Sequence, residues 1–568
     1  MNFLRFLSPL LLAATLHGCC FLLSARAQSV PGMRNSQYRL KNDIPTPQAI
    51  NPTNAPLTHK DSVLAIERLQ NDIRSLLSEH EKTLARAKTQ MAMAVYSLNQ
   101  SKELFALNPS LPLTPASTTK LFTTFAALDK FGANYTIETL VLTDADGLRE
   151  NGVLDGNIYL VGQGDPLLSI NDLELLASQL YHAGVRRITG SIFGDDGFFD
   201  RVTNRRQYSG DDDEVQPTAP ISALGVQRNL VTVIVGAGGV VGKPVHAQTF
   251  PASDAFEFDI RATVAPTPKQ PKKKRRGKWA KPALSITEIY GQKNGKQRFL
   301  VQGTLSPNTS VSRLFFIEAP PVAAADMFRK RVESFGITVE GGSGGVKEAP
   351  SAASELASMR RPLLDVVNIV NKKSDNFAAE HVFKLLGGAK LDARAPEIVA
   401  YDNHTIQASI EQLQGALRHY NIVSASSGSL QDFDGSGLSR RNKISPISMI
   451  RLLELFQSMP FANEFVNSLA IAGLDGTLQY RMRGTTGEYN VRAKTGTHKN
   501  VSALAGYVRT LDGERLAFSF LFNGNAVGLY KGLENKLCQI LANFSYYTPS
   551  ETSRDLDSTD DVYSGEMN

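Results

Sequence analysis

Cysteine is nearly missing. The chain has three in 568 residues, and two of them, Cys19 and Cys20, sit in an apolar N-terminal stretch that reads as a leader. Cys538 alone would remain, and one cysteine cannot form an internal disulfide, so the exported chain must be held by its core. Histidine is scattered: there are nine, with no H-E-x-x-H pair and no C-x-x-C, so nothing supports a metal centre, and no cofactor is implied. Excess charge of one sign is also scarce. The formal net charge is +6, less than the eight cations of one short run over residues 269–281, begun by Lys269 and closed by Lys281. The charge imbalance is therefore local. Internal repeats are absent. At 42% apolar and 20% charged residues the composition is that of a soluble globular protein. The length exceeds what one core organises, which predicts two or three domains.

The N-terminus has the layout of a secretory signal. Arg5 gives a positive start, residues 6–16 and 21–23 are apolar, and Ala25-Arg26-Ala27 fits a small-x-small cleavage site. The expectation is a signal peptide over 1–27 and an exported, periplasmic protein beginning at Gln28. A transmembrane anchor fits less well, because the span is short and broken by His17 and Gly18. Leu16-His17-Gly18-Cys19 loosely resembles a lipobox, so a lipid anchor through Cys19 is the alternative.

Residues 28–60 read as a flexible lead. Ile66, Leu69, Ile73, Leu76 and Leu77 recur at helical spacing and predict a helix over 61–85, and 91–96 reads as a buried strand. Thr114 and Pro115 read as helix cap and first helical residue, ahead of a helix that ends at Phe131-Gly132. From 135 to 350 short β-branched runs alternate with Gly, Asp and Asn turns, which predicts an inserted β-rich region of two subdomains with a basic loop at 266–282. Helices follow over 363–371 and 377–386. Two strands flanking Asp512-Gly513 read as a hairpin, and the acidic 549–568 as a disordered tail. Residues 61–134 and 351–548 would together form one discontinuous catalytic domain.

Three short motifs carry the chemistry. In Ser117-Thr118-Thr119-Lys120 a hydroxyl and an amine lie three apart, hence on one helical face near the positive end of the helix dipole. Ser374-Asp375-Asn376 falls between two helical segments, and Lys494-Thr495-Gly496-Thr497 precedes a strand-rich end. Singly these read as a solvated helix face, a helix cap and an edge strand. In this order they form the set used by active-site serine penicillin-binding enzymes. Ser117 is then the nucleophile and Lys120 the base, provided that burial and a neighbouring cation, such as Lys494, depress its pKa from about 10.4. Ser374 can relay a proton, Asn376 can both donate to and accept from a substrate backbone, and Lys494, Thr495 and Thr497 suit a terminal carboxylate. Gly496 lets the strand approach substrate closely. Asp375 has the least defined part in substrate binding.

On these motifs the chain resembles the D-alanyl-D-alanine carboxypeptidase/endopeptidase family, the class C low-molecular-mass penicillin-binding proteins. Gly162-Gln163-Gly164-Asp165-Pro166-Leu167, Gly194-Asp195-Asp196 with Phe199-Asp200, Asp434-Gly435-Ser436-Gly437-Leu438-Ser439 with Asn442, and Ala472-Gly473-Leu474-Asp475-Gly476-Thr477-Leu478 are similar to further family segments. The resemblance covers about 61–544. It implies an α/β (α+β) serine β-lactamase/transpeptidase-like domain with a large β-rich insertion between the Ser-x-x-Lys and Ser-x-Asn motifs. It also implies peptidoglycan stem peptides ending in D-Ala-D-Ala, or cross-linked, as substrates, β-lactams as covalent inhibitors, and an oxyanion hole from the backbone N–H groups of Ser117 and Thr497. A β-lactamase shares the acylation chemistry, but Glu411-Gln412-Leu413-Gln414 does not match the E-x-x-L-N setting that some of them use to deacylate. A retired wall-binding module would not need Lys120, Ser374 and Lys494 together. The basic run has the composition of a nucleic-acid patch, yet an exported protein meets little nucleic acid. A tether to anionic wall polymer or lipid head groups, with Trp279 as amphipathic anchor, is the sharper expectation, and a solvated loop the plainer one.

Overall fold

Strand formation at the two ends of the catalytic segments follows from continuous apolar runs. Ala92, Met93, Ala94 and Val95 are all buried in the strand Gln90–Ser97, as expected where a sheet is covered on both faces. This strand lies second in a six-stranded sheet of order Lys102–Leu107, Gln90–Ser97, Arg515–Asn523, Val501–Arg509, Arg492–His498 and Ala470–Ile471. Every pairing is antiparallel. The structure is a computed structural model that describes residues 59–211, 216–267, 283–293, 295–388, 405–423, 430–431 and 434–547.

The period-two alternation of the strands sorts two cores. Leu516, Phe518, Phe520 and Phe522 face helices His59–Glu79 and Val527–Asn543, against Ile73, Leu533 and Leu537. Ala505, Tyr507 and Ala517 face the other side, where helices Lys120–Phe131, Leu363–Lys372, Asn376–Gly387 and Pro446–Phe456 pack. The 61–85 helix expected from spacing is two helices, His59–Glu79 and Glu81–Arg86, because His80 leaves helical geometry at φ −109°, ψ 6°. The Asp512-Gly513 hairpin forms, with Gly513 at φ +81°.

Between the first and second motifs the chain leaves along Thr136–Thr143 and returns along Ser354–Pro362. These two strands pair antiparallel, with Thr136 opposite Pro362, so the departing and returning chain lie side by side. They belong to a five-stranded sheet with Ile158–Gly162, Ile192–Asp195 and Ser343–Val346. The stretch is less purely β than its texture suggests. Helices Ile170–His182 and Pro320–Ser334 cover the sheet with Leu173, Leu176, Leu180, Ala324 and Phe328. Ser169 closes a reciprocal capping box with Asp172 at the start of the first. Beyond lie a three-stranded sheet centred on Leu230–Gly236 and a four-stranded one built on Lys296–Leu305. The signal, the lead up to residue 58, the basic run over 269–281 and the acidic tail fall outside the described residues, and the last two positions of the expected lead open helix His59–Glu79.

Candidate active site

The nucleophile motif differs locally from the expected capped helix. Ala116–Thr119 form a 3₁₀ turn that runs into the α-helix Lys120–Phe131. Pro115, not Thr114, occupies the cap position, with no side-chain cap bond. Thr114 is engaged instead with the last long strand: its N–H donates to Asn523 Oδ1 at 3.0 Å, and its hydroxyl receives Lys443 Nζ at 2.8 Å. The tighter turn has a chemical consequence, because residues three apart eclipse in a 3₁₀ turn. Lys120 Nζ accordingly reaches Ser117 Oγ at 2.9 Å. Ala116, just before the nucleophile, is held at φ +49°, a costly conformation for alanine that packing must sustain.

The second motif sits where helix Leu363–Lys372 gives way to helix Asn376–Gly387. Ser374 takes φ +58° in the break. Asp375 caps the following helix, accepting from Ala378 N–H at 2.8 Å, and receives Arg228 Nη2 at 2.6 and 2.8 Å. Its carboxylate is thus committed to the fold and to an arginine from the inserted region. Asn376 Oδ1 accepts from Lys120 Nζ at 2.8 Å, while Nδ2 donates to Gln216 Oε1 at 3.1 Å.

The third motif lies on the strand Arg492–His498, where alternation buries Lys494 and exposes Thr497. Lys494 Nζ donates to Ser374 Oγ at 2.7 Å and to Thr495 O at 2.9 Å. Thr495 Oγ1 donates to Thr477 Oγ1 at 2.8 Å. Gly496 is required for a reason other than access by substrate. A Cβ there would run into the Pro115 carbonyl oxygen and lie 3.2 Å from the Ala116 and Ala503 methyls. The glycine lets this strand close against the turn that carries Ser117.

Two bonded pairs therefore face each other: Ser117–Lys120, extended to Asn376, and Ser374–Lys494. Both lysines are fully buried. Burial lowers Lys120 to about 8, opposed by the charges of Asp434, Glu380 and Asp375. Lys494 is held well below its ordinary value by burial and then by the Lys120 cation. Removal from water is thus the first cause for both lysines, and the Lys120 cation adds to the lowering of Lys494.

Sequence reasoning missed the floor of the site. The Ser436 carbonyl accepts from Lys120 Nζ and, at 3.5 Å, from Ser117 Oγ. Its loop is fixed by Asp434, which accepts from Gly437 N–H (2.8 Å), Ser439 N–H (2.7 Å), Asn442 Nδ2 (2.8 Å) and Arg205 Nη1 (3.0 Å). Gly437, at φ +76°, has no room for a Cβ against Ala116. By resemblance the Asp434–Asn442 segment is a family loop near the site, and the contacts of its individual residues are what the sequence does not show. Among the described residues no group of three or more His, Cys, Asp or Glu is arranged to hold a metal ion.

Comparison with known proteins follows the same lines. Residues 69–544 match the D-Ala-D-Ala carboxypeptidase 3 (S13) family. A D-alanyl-D-alanine carboxypeptidase of an Actinomadura species is 31% identical over 467 residues, 80% of this chain and 81% of that one. The D-alanyl-D-alanine carboxypeptidase DacB of Haemophilus influenzae is 27% identical over 436 residues, 76% and 85% of the two chains. The crystal structure of penicillin binding protein 4 (dacB) from Haemophilus influenzae superposes with TM-score 0.59 at 24% identity, covering 79% of this chain and 97% of that one, which shows a common fold.

Proposed function

The chain belongs to the D-Ala-D-Ala carboxypeptidase 3 (S13) family, and from that premise we propose that it hydrolyses the terminal D-Ala-D-Ala bond of peptidoglycan stem peptides through an acyl-enzyme on Ser117. The observation that carries this reading is the Lys120 ammonium shared between Ser117 Oγ at 2.9 Å and Asn376 Oδ1 at 2.8 Å. Neutral Lys120 takes the Ser117 proton as Oγ attacks the penultimate D-Ala carbonyl. The N–H groups of Ser117 and Thr497 hold the oxyanion. Ser374, bonded to Lys494, relays that proton from Lys120 to the leaving D-Ala nitrogen, which leaves Lys120 neutral again. In the second half a water gives its proton to Lys120 and attacks the ester carbonyl, and Lys120 returns that proton to the departing Ser117 Oγ. Lys494, Thr495 and Thr497 receive the substrate carboxylate, and an arriving anion restores the charge that burial takes from Lys494. Asp375 acts by capping the Asn376 helix. β-Lactams, which present a carboxylate and a strained amide, acylate the same serine.

Cutting a cross-link differs only in what stands beyond the D-Ala carbonyl, so endopeptidase activity uses the same residues. The β-lactamase alternative is not favoured by Glu411, which is exposed and bonded to Gln407. The mature protein is exported and periplasmic. Among the described residues no helix is long and apolar enough to cross a membrane. The run closed by Lys281 serves as a tether to an anionic wall or membrane surface. Digesting purified sacculi and separating the muropeptides tests the reaction. Loss of terminal D-Ala from pentapeptides is the expected result, with release of monomers from dimers if cross-links are also cut. Unchanged muropeptides from enzyme that still binds penicillin would contradict it.

A further inference from the structure

One fully buried carboxylate touches the site's floor yet has no part in the steps above. Glu380 lies four residues after Asn376 on helix Asn376–Gly387, so both project from one helical face. Its Oε1 accepts from Ser436 N–H at 2.9 Å. Its Oε2 accepts from Gly435 N–H at 3.4 Å and from the Tyr208 hydroxyl at 2.8 Å. The loop comes this near because residue 435 is glycine: a Cβ there would press into Phe383 and sit 2.8 Å from the Ala379 carbonyl oxygen. The carboxylate thus grips the N–H of the residue whose carbonyl receives Lys120 Nζ.

We propose that Glu380 is a positioning residue for the general base: it fixes the Ser436 loop under Lys120, and its negative charge keeps the proton on that amine. The proposal rests on the reading of Lys120 as the base. The charged surroundings are defined on every side. Arg205, bonded to Asp434 and Asp211, and Tyr208 face Glu380 from the inserted region. Asp434 faces it from the loop and Lys120 from the nucleophile helix. On its own helix Asp375 stands at the cap, His381 is adjacent, and Lys384 one turn on is paired with Asp200. Burial, with the Asp434 charge, pushes Glu380 up to about 7, while Ser436, Arg205 and Tyr208 oppose the shift. The Glu380 charge therefore acts on Lys120 against the effect of burial. As Glu380 ionises, it delays proton loss from Lys120.

The test is the pH profile of acylation by a fluorescent penicillin, from pH 5.5 to 10, on the full exported chain. Glu380→Gln keeps an acceptor for Ser436 and removes the charge. The midpoint of its acid limb is expected to move about half a unit lower, with the gain between about pH 7 and 8, where wild-type Glu380 is ionised, and the two profiles converging below, where it is already neutral. Tyr208→Phe removes a donor that favours ionised Glu380. It should shift the limb the same way by less, and it leaves the carboxylate in place should the glutamine variant fail to fold. Glu380→Ala should lower the plateau by orphaning the Ser436 N–H, with rescue by glutamine. A limb that stays at the wild-type position in Glu380→Gln, or in Tyr208→Phe where only that variant folds, overturns the proposal. Lys120→Ala separates the two levels. If it is inert while the limb does not move, only the role of Glu380 falls. If Lys120→Ala acylates normally, the base assignment itself has failed.

Discussion

At the residue scale the account turns on two lysines made unlike ordinary lysines by removal from water. A buried ammonium loses its hydration, so its neutral form is favoured. The sign for catalysis follows directly. Lys120 must be neutral to accept the Ser117 proton, so acylation should climb as pH rises through about 8 and level off above. Second-order rate constants for penicillin across that range check this, and a rate flat from pH 6.5 to 9 would contradict it. That these residues belong together was legible in the sequence because three such motifs in this order seldom arise by chance, and the structure joins Ser117, Lys120 and Asn376, and Ser374 and Lys494, by hydrogen bonds. Their environment was not. Composition does not show that Asp434 and Glu380, distant in sequence, come to oppose the burial of Lys120. The i, i+4 spacing of Asn376 and Glu380 was the one available hint, but it points only to a shared helical face, not to what lies opposite.

At the element scale the site is a junction of a 3₁₀ turn, a helix start and a strand. Glycines let them close: Gly496 against Pro115, Gly437 against Ala116 and Gly435 against Phe383. Gly496→Ala is therefore expected to part the strand from the nucleophile turn. Overpacking of this kind costs about 1–3 kcal/mol. Borne by the acylation barrier, that cost lowers acylation roughly 5- to 140-fold, at a factor of ten per 1.4 kcal/mol, and the melting temperature should drop. Unaltered labelling and melting would show that the strand does not brace the turn. The helix carrying Leu363–Lys372 and the hairpin at Asp512-Gly513 were readable from period and turn chemistry. The Thr114-Pro115 start was misread. Its residue types fit a cap, but Asn523 and Lys443, remote in sequence, claim the threonine.

At the scale of the whole molecule, the chain departs from the catalytic layers and returns beside itself, so the inserted region is carried on paired strands. Arg228 and Gln216 reach from it to Asp375 and Asn376. That meeting of distant segments is tertiary and left no local signal. The alternation of short runs with turns marked the region as β-rich, but did not show the helices Ile170–His182 and Pro320–Ser334 that cover its sheet. The run from Lys269 to Lys281 belongs to this scale too. Deleting 269–281 should leave penicillin acylation unchanged, while weakening binding to sacculi and anionic vesicles at low salt and not at high salt, where charges are screened. Equal low-salt binding by both forms would leave only a solvated loop.

The central claim is that Ser117 carries the acyl group. Intact mass and peptide mapping after penicillin treatment test it most directly. The account predicts one adduct per chain on the peptide containing Ser117, and none in a folded Ser117→Ala variant. An adduct on any other residue, or labelling that survives in Ser117→Ala, would contradict it.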